Sequence, residues 1–294
     1  MGKNIAFVMT ANPALRVVVT DIADTDIHAG IRVNCRQLLE HGVITENELE
    51  TRLGRIAFTT DMRSAPVRDA DFVIEAVFED MTVKRETFKK LEAVCSPDAI
   101  FCTNTSVMSP SEISAEMTYR ERFAGTHFWN PAHLIPLVEV VKSDATSDET
   151  ADTVMALLAF VGKKPVLCQK DVPGFIANRM QHALWREAIS IVENGIADAE
   201  TVDMAVKYSF GLRLPQIGPL ENADMVGTDL TYSIHDYLLR HIESSPQPSP
   251  LLTELRDNGD LGFKTGKGFR RWTPEQMQTV RNDLNTYLIN ALYD

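Results

Sequence analysis

The sequence predicts an α/β protein, with a mostly parallel sheet in residues 1–171 and an all-helical domain in residues 172–294. Two observations support this prediction. In the first part, short β-branched or aromatic runs alternate with longer helical stretches, which indicates strands joined by helical crossovers. In the second part, apolar residues recur at helical spacing and no run of strand character is found.

Seven runs of the first part have the composition of strands. They are Arg16–Thr20, Ile56–Thr60, Phe72–Val77, Ile100–Thr103, Phe123–Phe128, Leu137–Val141 and Pro165–Cys168. Helix starts are marked by capping boxes that begin at Thr45 and Ser109, the second with proline at the first helical position. The alternation of these elements predicts crossover connections between parallel strands.

The second part begins with a helix on which Met180, Leu184 and Ile191 share one face. Gly195 ends this helix, and Asp198 can cap the next one. A further capping box at Thr273 predicts a last helix near the end of the chain. These signals predict a helical second domain.

Length and composition limit the classes of function. A chain of 294 residues fits one large or two ordinary domains, and 44% hydrophobic with 24% charged residues is typical of soluble globular proteins. The net charge of −12 argues against nucleic acid or an anionic membrane as partner. The longest apolar stretch, around Val154–Val161, is too short to span a bilayer, and the start has no signal-peptide pattern. The charge is compatible with a small anionic ligand, which needs only a local basic patch.

The four cysteines, Cys35, Cys95, Cys102 and Cys168, lie far apart and form no Cys-x-x-Cys motif or cluster with histidine. Neither a metal site nor a disulfide framework is expected from this spacing. A reducing compartment, the cytosol, is the expected location.

His127 and Glu139 are the leading candidates for a catalytic pair. His127 lies at the end of one strand-like run, and Glu139 lies inside the next. A carboxylate buried in a strand is costly unless it is paired, and an imidazole at a strand end is a natural partner. Such a pair makes a general base that the carboxylate orients. Two alternatives stay open: His127 as a core histidine, and Glu139 as an edge-strand residue that faces water.

Five segments, taken in order, resemble the 3-hydroxyacyl-CoA dehydrogenase family. They are Asn104–Ser106, His127–Pro131, Leu137–Val140, Asp171–Arg179 and Gly262–Phe269. The resemblance covers nearly the whole chain. It implies an NAD-binding Rossmann domain, followed by a helical domain that binds substrate and forms a homodimer. It also implies the reversible oxidation of an L-3-hydroxyl group to a ketone, with hydride transfer to NAD.

The resemblance also implies a role for individual residues. His127 is the expected catalytic base and Glu139 its orienting partner, while Ser106 and Asn178 match positions that contact the reacting oxygen. Cofactor contacts are implied at Gly2, Asp21, Glu79, Lys84, Asn104, Ser106, Asn130 and Lys264.

The start of the chain departs from the family. A dinucleotide fingerprint needs a strand and then Gly-x-Gly-x-x-Gly at the mouth of a helix. Gly2 aligns with the third glycine, so the first strand and the first two glycines are absent. Asp21 follows at the distance of the acidic residue that binds the adenosine ribose and selects NAD over NADP, or else it only caps a turn. A rival register, with Asn4–Met9 as first strand, leaves too few residues for a parallel crossover and is rejected.

The absent strand is central in the usual strand order of this fold, so its loss removes ladder hydrogen bonds and a layer of core. Our hypothesis is that Met1 is an internal methionine and that the natural protein begins about fifteen to twenty residues upstream, the length of the missing strand and glycine turn. The alternative is a truncated product with weak or no NAD binding.

The substrate can be interpreted in more than one way. Ile217–Glu221 and Asn130–Pro136 resemble relatives that oxidise gulonate, carnitine or a pyridine carboxylate, whereas Asp224–Gly227 and Gly262–Phe269 are typical of acyl-CoA members. The sequence favours a short-chain 3-hydroxyacyl-CoA of the 3-hydroxybutyryl-CoA type. The alternatives are a dehydrogenase of a small free 3-hydroxy acid and a non-catalytic relative that has lost NAD binding.

Overall fold

The computed structural model describes residues 1–293, which fold into two compact units. The first unit comprises Met1–Asn178 and the chain from Asn282 onward, and the second comprises Arg179–Arg281. The sequence assigned the last helix wholly to the helical domain. Its C-terminal part belongs to the first unit because Ile289 is buried in that unit's core and the Asn285 amide donates to Gln37.

The strands all lie in the first unit and agree closely with the seven predicted runs. They are β1 (Val17–Thr20), β2 (Ile56–Thr59), β3 (Phe72–Glu75), β4 (Ile100–Thr103), β5 (Phe123–Phe128), β6 (Leu137–Lys142) and β7 (Lys164–Cys168).

Helices connect these strands and form the second unit. Those of the first part are α1 (Gly2–Met9), α2 (Ile27–Glu40), α3 (Glu46–Leu53), α4 (Ala65–Arg68), α5 (Met81–Glu92), α6 (Pro110–Ile113) and α7 (Asp148–Phe160). The later helices are α8 (Ala177–Glu193), α9 (Ala199–Lys207), α10 (Phe210–Arg213), α11 (Pro219–Val226), α12 (Thr228–Leu238), α13 (Pro250–Asp257) and α14 (Pro274–Tyr293). The predicted caps Thr45, Ser109, Asp198 and Thr273 each accept a backbone N–H of their helix.

The strands form two sheets rather than one. β1 and β2 pair in a two-stranded parallel sheet, and β3 to β7 form a five-stranded sheet in chain order. All neighbours in the larger sheet are parallel except β5 and β6, which are antiparallel. With β1, β2 and β3 taken as the second, third and fourth strands, this is the usual doubly wound order, and the place of the first strand, between β1 and β3, is open.

β1 and β3, the two strands on either side of this opening, are less buried than the central strands β4, β5 and β6. All four residues of β1 are partly exposed, whereas all six residues of β5 are buried. Side chains of the two flanking strands nevertheless share core clusters, since Val17 packs in the same cluster as Phe72 and Ile74, and Val18 in the same cluster as Val73. The opening between β1 and β3 therefore lies within one domain and does not separate two domains.

The register predicted at the start of the chain is confirmed. Gly2–Met9 is a helix and not a strand. Its apolar residues enter the core on both sides, Phe7 among the side chains of α2 and α3, and Ile5 and Val8 beside β3 and α7. Helix α1 thus occupies the place of the helix that follows the first strand of a doubly wound fold.

The second unit is helical, as predicted, and buries little of its own surface. Among its described residues, Ser190 and Val202 are the buried ones. Large apolar side chains are exposed along several of its helices, including Trp185, Leu212 and Tyr232. No helix within residues 1–293 is long and apolar enough to cross a membrane.

Candidate active site

The antiparallel register of β5 and β6 brings His127 directly opposite Glu139. The imidazole Nδ1 lies 2.8 Å from Glu139 Oε2. Both residues are buried, with Glu139 completely enclosed. The alternative of a water-facing Glu139 on an edge strand is wrong, because β6 lies between β5 and β7. The pairing that the sequence predicted therefore exists, and it lies inside the sheet.

The Glu139 carboxylate is held by four donors. Besides His127, the indole N–H of Trp129 donates to Oε2 at 3.2 Å. The backbone amides of Ile176 and Ala177, at the start of α8, donate to Oε1, both at 2.9 Å. Because a helix N-terminus carries partial positive charge and free N–H groups, this position favours an anion. The four bonds therefore hold the carboxylate in position and stabilise its negative charge.

These bonds decide the ionisation of Glu139. Burial raises the pKa of a carboxyl group, but the hydrogen bonds from His127, Ala177, Ile176 and Trp129 outweigh it, so the Glu139 pKa lies below its usual value. An ionised carboxylate only accepts hydrogen bonds, which puts the imidazole proton on Nδ1. The other ring nitrogen, Nε2, then carries the lone pair that can accept a proton.

Two left-handed residues precede the amides that bind Glu139. Gly174 has φ of 77° and Phe175, which is not a glycine, has φ of 49°. This conformation costs free energy in a residue with a Cβ and persists where surrounding contacts impose it. Phe175 is 2% exposed, and its ring centroid lies 5.7 Å from that of His127. The strained turn both aims two amides at Glu139 and packs a ring beside the imidazole.

Ser106 and Asn178, the predicted contacts of the reacting oxygen, are neighbours in the first unit. The Asn178 amide nitrogen donates to the Ser106 backbone carbonyl at 3.1 Å. Asn104, at the start of the same turn, accepts a bond from the Phe128 amide at 2.9 Å, next to His127 in sequence. The structure therefore brings the Asn104–Ser106 turn, Asn178 and the end of β5 together.

Glu79 and Lys84 are also close to this turn but differ in exposure. The Glu79 carboxylate is 36% exposed and accepts the Ser106 amide, whereas the Lys84 ammonium is 1% exposed and lies 3.2 Å from Glu79. Lys84 is therefore enclosed by protein, and the geometry favours a role through Glu79 over direct contact with a cofactor.

Asn130 is exposed in the loop between β5 and β6, and it precedes a cis proline, Pro131. This loop has an anchor that sequence reasoning missed. The buried Lys163 ammonium donates to the backbone carbonyls of Ala132 and Ile135. Burial lowers the pKa of Lys163 to about 8. No local sequence signal marks this lysine, since its partners are backbone atoms of a distant loop.

The residues predicted to bind the adenosine part of the cofactor, Gly2 and Asp21, are less buried than His127 and Glu139. Gly2 begins α1, whose first turn has no side-chain cap, and a Cβ at this position would lie 3.6 Å from Ala76. Asp21 is exposed at the end of β1 and accepts the Ala23 amide at 3.1 Å. One carboxylate oxygen thus serves the turn that the sequence offered as the alternative, and the other can bind a ribose hydroxyl. These residues fit the part of an NAD site that follows the first strand.

Lys264 lies in the second unit, exposed, in the glycine-rich turn after α13. Its cofactor contact stays a prediction. The sequence did not identify four further groups that contact the candidate residues: the Trp129 indole, the two amides at the start of α8, and Glu75, a second carboxylate at the end of an apolar strand. Glu75, like Glu139, is a carboxylate in an apolar run with the composition of a strand, so the same sequence pattern marks both residues.

Two family models match this chain. The NAD binding domain model of 3-hydroxyacyl-CoA dehydrogenase matches residues 1–172, and the C-terminal domain model matches residues 174–272. A probable 3-hydroxybutyryl-CoA dehydrogenase of Bacillus subtilis is 38% identical over 273 residues, covering 92% of this chain and 93% of the relative.

Two solved structures extend the comparison. One is a 5-formyl-3-hydroxy-2-methylpyridine 4-carboxylic acid 5-dehydrogenase, an NAD+-dependent dismutase, with a TM-score of 0.89 and 31% identity over 99% of this chain and 93% of that one. The other is (S)-3-hydroxybutyryl-CoA dehydrogenase of Ralstonia eutropha, with a TM-score of 0.77 and 31% identity over 93% of this chain and 95% of that one. With both domain models matched and NAD as its cofactor, the chain belongs to the 3-hydroxyacyl-CoA dehydrogenase family.

Proposed function

We propose that this protein oxidises the L-3-hydroxyl group of a short-chain 3-hydroxyacyl-CoA, of the 3-hydroxybutyryl-CoA type, and catalyses the reverse reduction. The observation that carries the proposal is the buried contact of 2.8 Å between His127 Nδ1 and Glu139 Oε2. A proton acceptor that is neutral and oriented is what the oxidation of an alcohol requires. Relatives named as 3-hydroxybutyryl-CoA dehydrogenases support the choice of substrate.

His127 is the proposed base. Its Nε2 takes the hydroxyl proton as the C–H bond of the same carbon breaks, and Glu139 stabilises the imidazolium that results. NAD, when bound, accepts the two electrons of that bond with the hydrogen as hydride. In the reverse direction His127 returns the proton to the oxygen. Such a base contributes about 10²–10⁴-fold to the rate.

Ser106 and Asn178 are the proposed contacts of the reacting oxygen. An amide nitrogen has two donor hydrogens, so Asn178 can hold the Ser106 carbonyl with one and reach a substrate oxygen with the other. The Ser106 hydroxyl lies on a turn that is fixed at its amide by Glu79 and at its carbonyl by Asn178. A donor that stabilises developing charge on the oxygen is worth roughly 2.7–4 kcal/mol.

The proposed cofactor contacts divide by location. Gly2 and Asp21 serve the adenosine and pyrophosphate side. Glu79, Asn104 and Asn130 serve the nicotinamide side, and we propose that Lys84 acts there through Glu79. Lys264 remains a proposed contact of the second unit.

A free pyridine carboxylate is the second candidate substrate, and one feature of the chain favours it. Helix α14 (Pro274–Tyr293) lies beyond the matched C-terminal domain, which ends at residue 272. The pyridine-carboxylate enzyme covers 99% of this chain, whereas the Ralstonia acyl-CoA enzyme covers 93%. The structure of the pyridine-carboxylate enzyme is also the more similar of the two, with a TM-score of 0.89 against 0.77, and this similarity supports the second candidate.

The test is NAD reduction by the purified protein with 3-hydroxybutyryl-CoA, free 3-hydroxybutyrate, gulonate, carnitine and the hydroxylated pyridine carboxylate. We expect turnover with the CoA ester. Activity confined to the free acids would contradict the substrate proposal and leave the His127 mechanism intact. Saturable NADH binding, measured by fluorescence, separates a poor substrate from a site that cannot hold cofactor.

We propose a homodimer formed by the second unit. Its helices leave Trp185, Leu212, Tyr232 and Tyr237 exposed, and so much apolar surface is typical of an interface. Cys35, Cys95 and Cys102 are buried free thiols, which supports the cytosol as the compartment. Analytical ultracentrifugation tests the dimer, and a sedimenting monomer at micromolar concentration would contradict it.

A further inference from the structure

Three charged side chains form a cluster beside the site that the His127 mechanism does not use. Lys84, on α5, has its ammonium 3.0 and 3.1 Å from the two oxygens of Glu75, at the end of β3. The same ammonium lies 3.2 Å from Glu79 Oε2. Lys84 is 0% exposed and Glu75 is 3% exposed. We call Glu75, Lys84 and Glu79 the charged frame.

The buried carboxylate of the frame has a full set of partners. Besides Lys84, Glu75 accepts the Thr103 hydroxyl at 2.7 Å and the Val77 amide at 2.6 Å. An ion pair this deeply buried is costly to desolvate, and apolar residues of similar volume often serve stability as well. Each oxygen of Glu75 accepts hydrogen bonds from specific donors. This geometry is better suited to holding the neighbouring groups in place than to increasing the stability of the fold.

Glu79 connects the frame to the turn that carries Ser106. One of its oxygens faces Lys84, and the other accepts the Thr105 hydroxyl and, at 2.9 Å, the Ser106 amide. Burial raises the Glu79 pKa, but the bonds from Thr105, Ser106 and Lys84 outweigh it, so the pKa lies below its usual value. The Glu79 carboxylate therefore stays ionised near neutral pH and bridges a buried cation and the turn.

The same turn is also tied to β3 by its backbone. The Asn104 amide donates to the Glu75 carbonyl at 2.8 Å. Glu75 thus holds the turn twice, directly through its carbonyl and indirectly through Lys84 and Glu79. Ser106 itself is exposed, so the position of its hydroxyl depends on these bonds and on the bond from Asn178 to its carbonyl.

We propose that Glu75 and Lys84 are positioning residues: they fix Glu79, and through Glu79 they place the Ser106 hydroxyl for the reacting oxygen. Neither touches substrate. The proposal rests on the proposed role of Ser106. Misplacing a catalytic group by about 1 Å can cost 10²-fold in rate, so the frame is expected to act on kcat more than on stability.

The variant that tests this is Glu75→Gln combined with Lys84→Met. A single substitution would leave a buried charge without its partner and could prevent folding, whereas the double substitution removes both charges at nearly constant volume. The matched control is Arg32→Met with Glu50→Gln, which removes an exposed pair whose oxygen and nitrogen lie 2.8 Å apart on α2 and α3. Neither Arg32 nor Glu50 belongs to the proposed site.

Two readouts are measured on both proteins. The first is kcat at saturating NAD with the best substrate of the screen, and we expect a fall of about tenfold to hundredfold in the frame variant. The second is amide hydrogen exchange, which needs no substrate. We expect faster exchange at residues 105–107 and unchanged exchange at the amides of Ile176 and Ala177, which bind Glu139.

The outcomes separate this proposal from the proposed function. A folded frame variant with unchanged exchange at residues 105–107 overturns the proposal, whatever the substrate. Faster exchange throughout the first unit, including Ile176 and Ala177, also overturns it, because the frame would then serve general stability. If the wild-type protein turns over none of the substrates, the exchange pattern still decides the role of the frame.

Discussion

The two ends of the β-sheet layer differ in how firmly their functional residues are held. In the sheet of β3 to β7, Glu139 has four hydrogen-bond donors and lies opposite β5, all of whose residues are buried. In the sheet of β1 and β2, Asp21 is exposed, and β1, the strand that precedes it, is only partly buried. The contacts that hold the His127–Glu139 pair thus come from β5, the loop after it and the start of α8, and none of them comes from β1 or β2.

The largest effect on activity is expected from a substitution of His127, in the sheet of β3 to β7. His127→Asn removes the proposed base, and we expect kcat to fall about 10²–10⁴-fold with NADH affinity nearly unchanged. Steady-state kinetics and fluorescence titration measure the two quantities. His41→Asn is the control, because His41 is exposed and its Nδ1 contacts the backbone carbonyl of Gln37. If His127→Asn kept wild-type kcat, the proposed mechanism would be wrong.

The next largest effect is expected at the open place between β1 and β3. Joining an apolar strand and a Gly-x-Gly turn to Met1 should fill the place between β1 and β3, because within residues 1–293 neither strand has a neighbour on that edge. Each new ladder bond is worth about 0.5–1.5 kcal/mol, so the free energy of unfolding should rise by several such increments and NADH should bind more tightly.

Urea denaturation and NADH titration measure these changes. A segment of equal length with proline in the strand is the control, because proline cannot complete the ladder. Equal stability of the two fusions would show that the opening does not accept a strand.

A smaller effect is expected at the strained turn before α8. Gly174 has φ of 77°, so Gly174→Ala places a Cβ in the left-handed region at a cost of about 1–2 kcal/mol. The matched control is Gly54→Ala, at a right-handed position with φ of −60°. Thermal denaturation should show a lower Tm for the first variant only. Equal Tm values would mean that the turn is not held in this conformation.

The smallest predicted effect is a pH dependence. The Glu139 pKa is lowered on folding, so its ionisation stabilises the protein above the ordinary value of 4.5, and this contribution is lost as the pH falls below 4.5. Glu139→Gln lacks the contribution. The difference in free energy of unfolding between wild type and variant should therefore shrink on acidification, and a difference that is constant with pH would contradict the assignment.

Much of the fold could be predicted from sequence because its signals are local. The strand Ile100–Thr103 and the helix cap Asp198 were recognised from a few adjacent residues. The pair of His127 and Glu139 was also accessible, since a carboxylate inside an apolar strand needs a partner. The enclosure of Lys84 was not, because it depends on how α5 packs against β3. The contacts of the Lys163 ammonium were not accessible either, because its partners are the backbone carbonyls of residues 31 and 28 positions earlier in the chain.

A double-mutant cycle on His127 and Glu139 tests the central claim most directly. Single-turnover rates are measured for His127→Asn, Glu139→Gln and the double variant with cofactor saturating. If Glu139 acts by holding and charging the imidazole, the double variant should be no slower than His127→Asn alone, because residues that act as a unit are not additive. Losses that simply multiply would show that the two residues act independently, and would contradict the account.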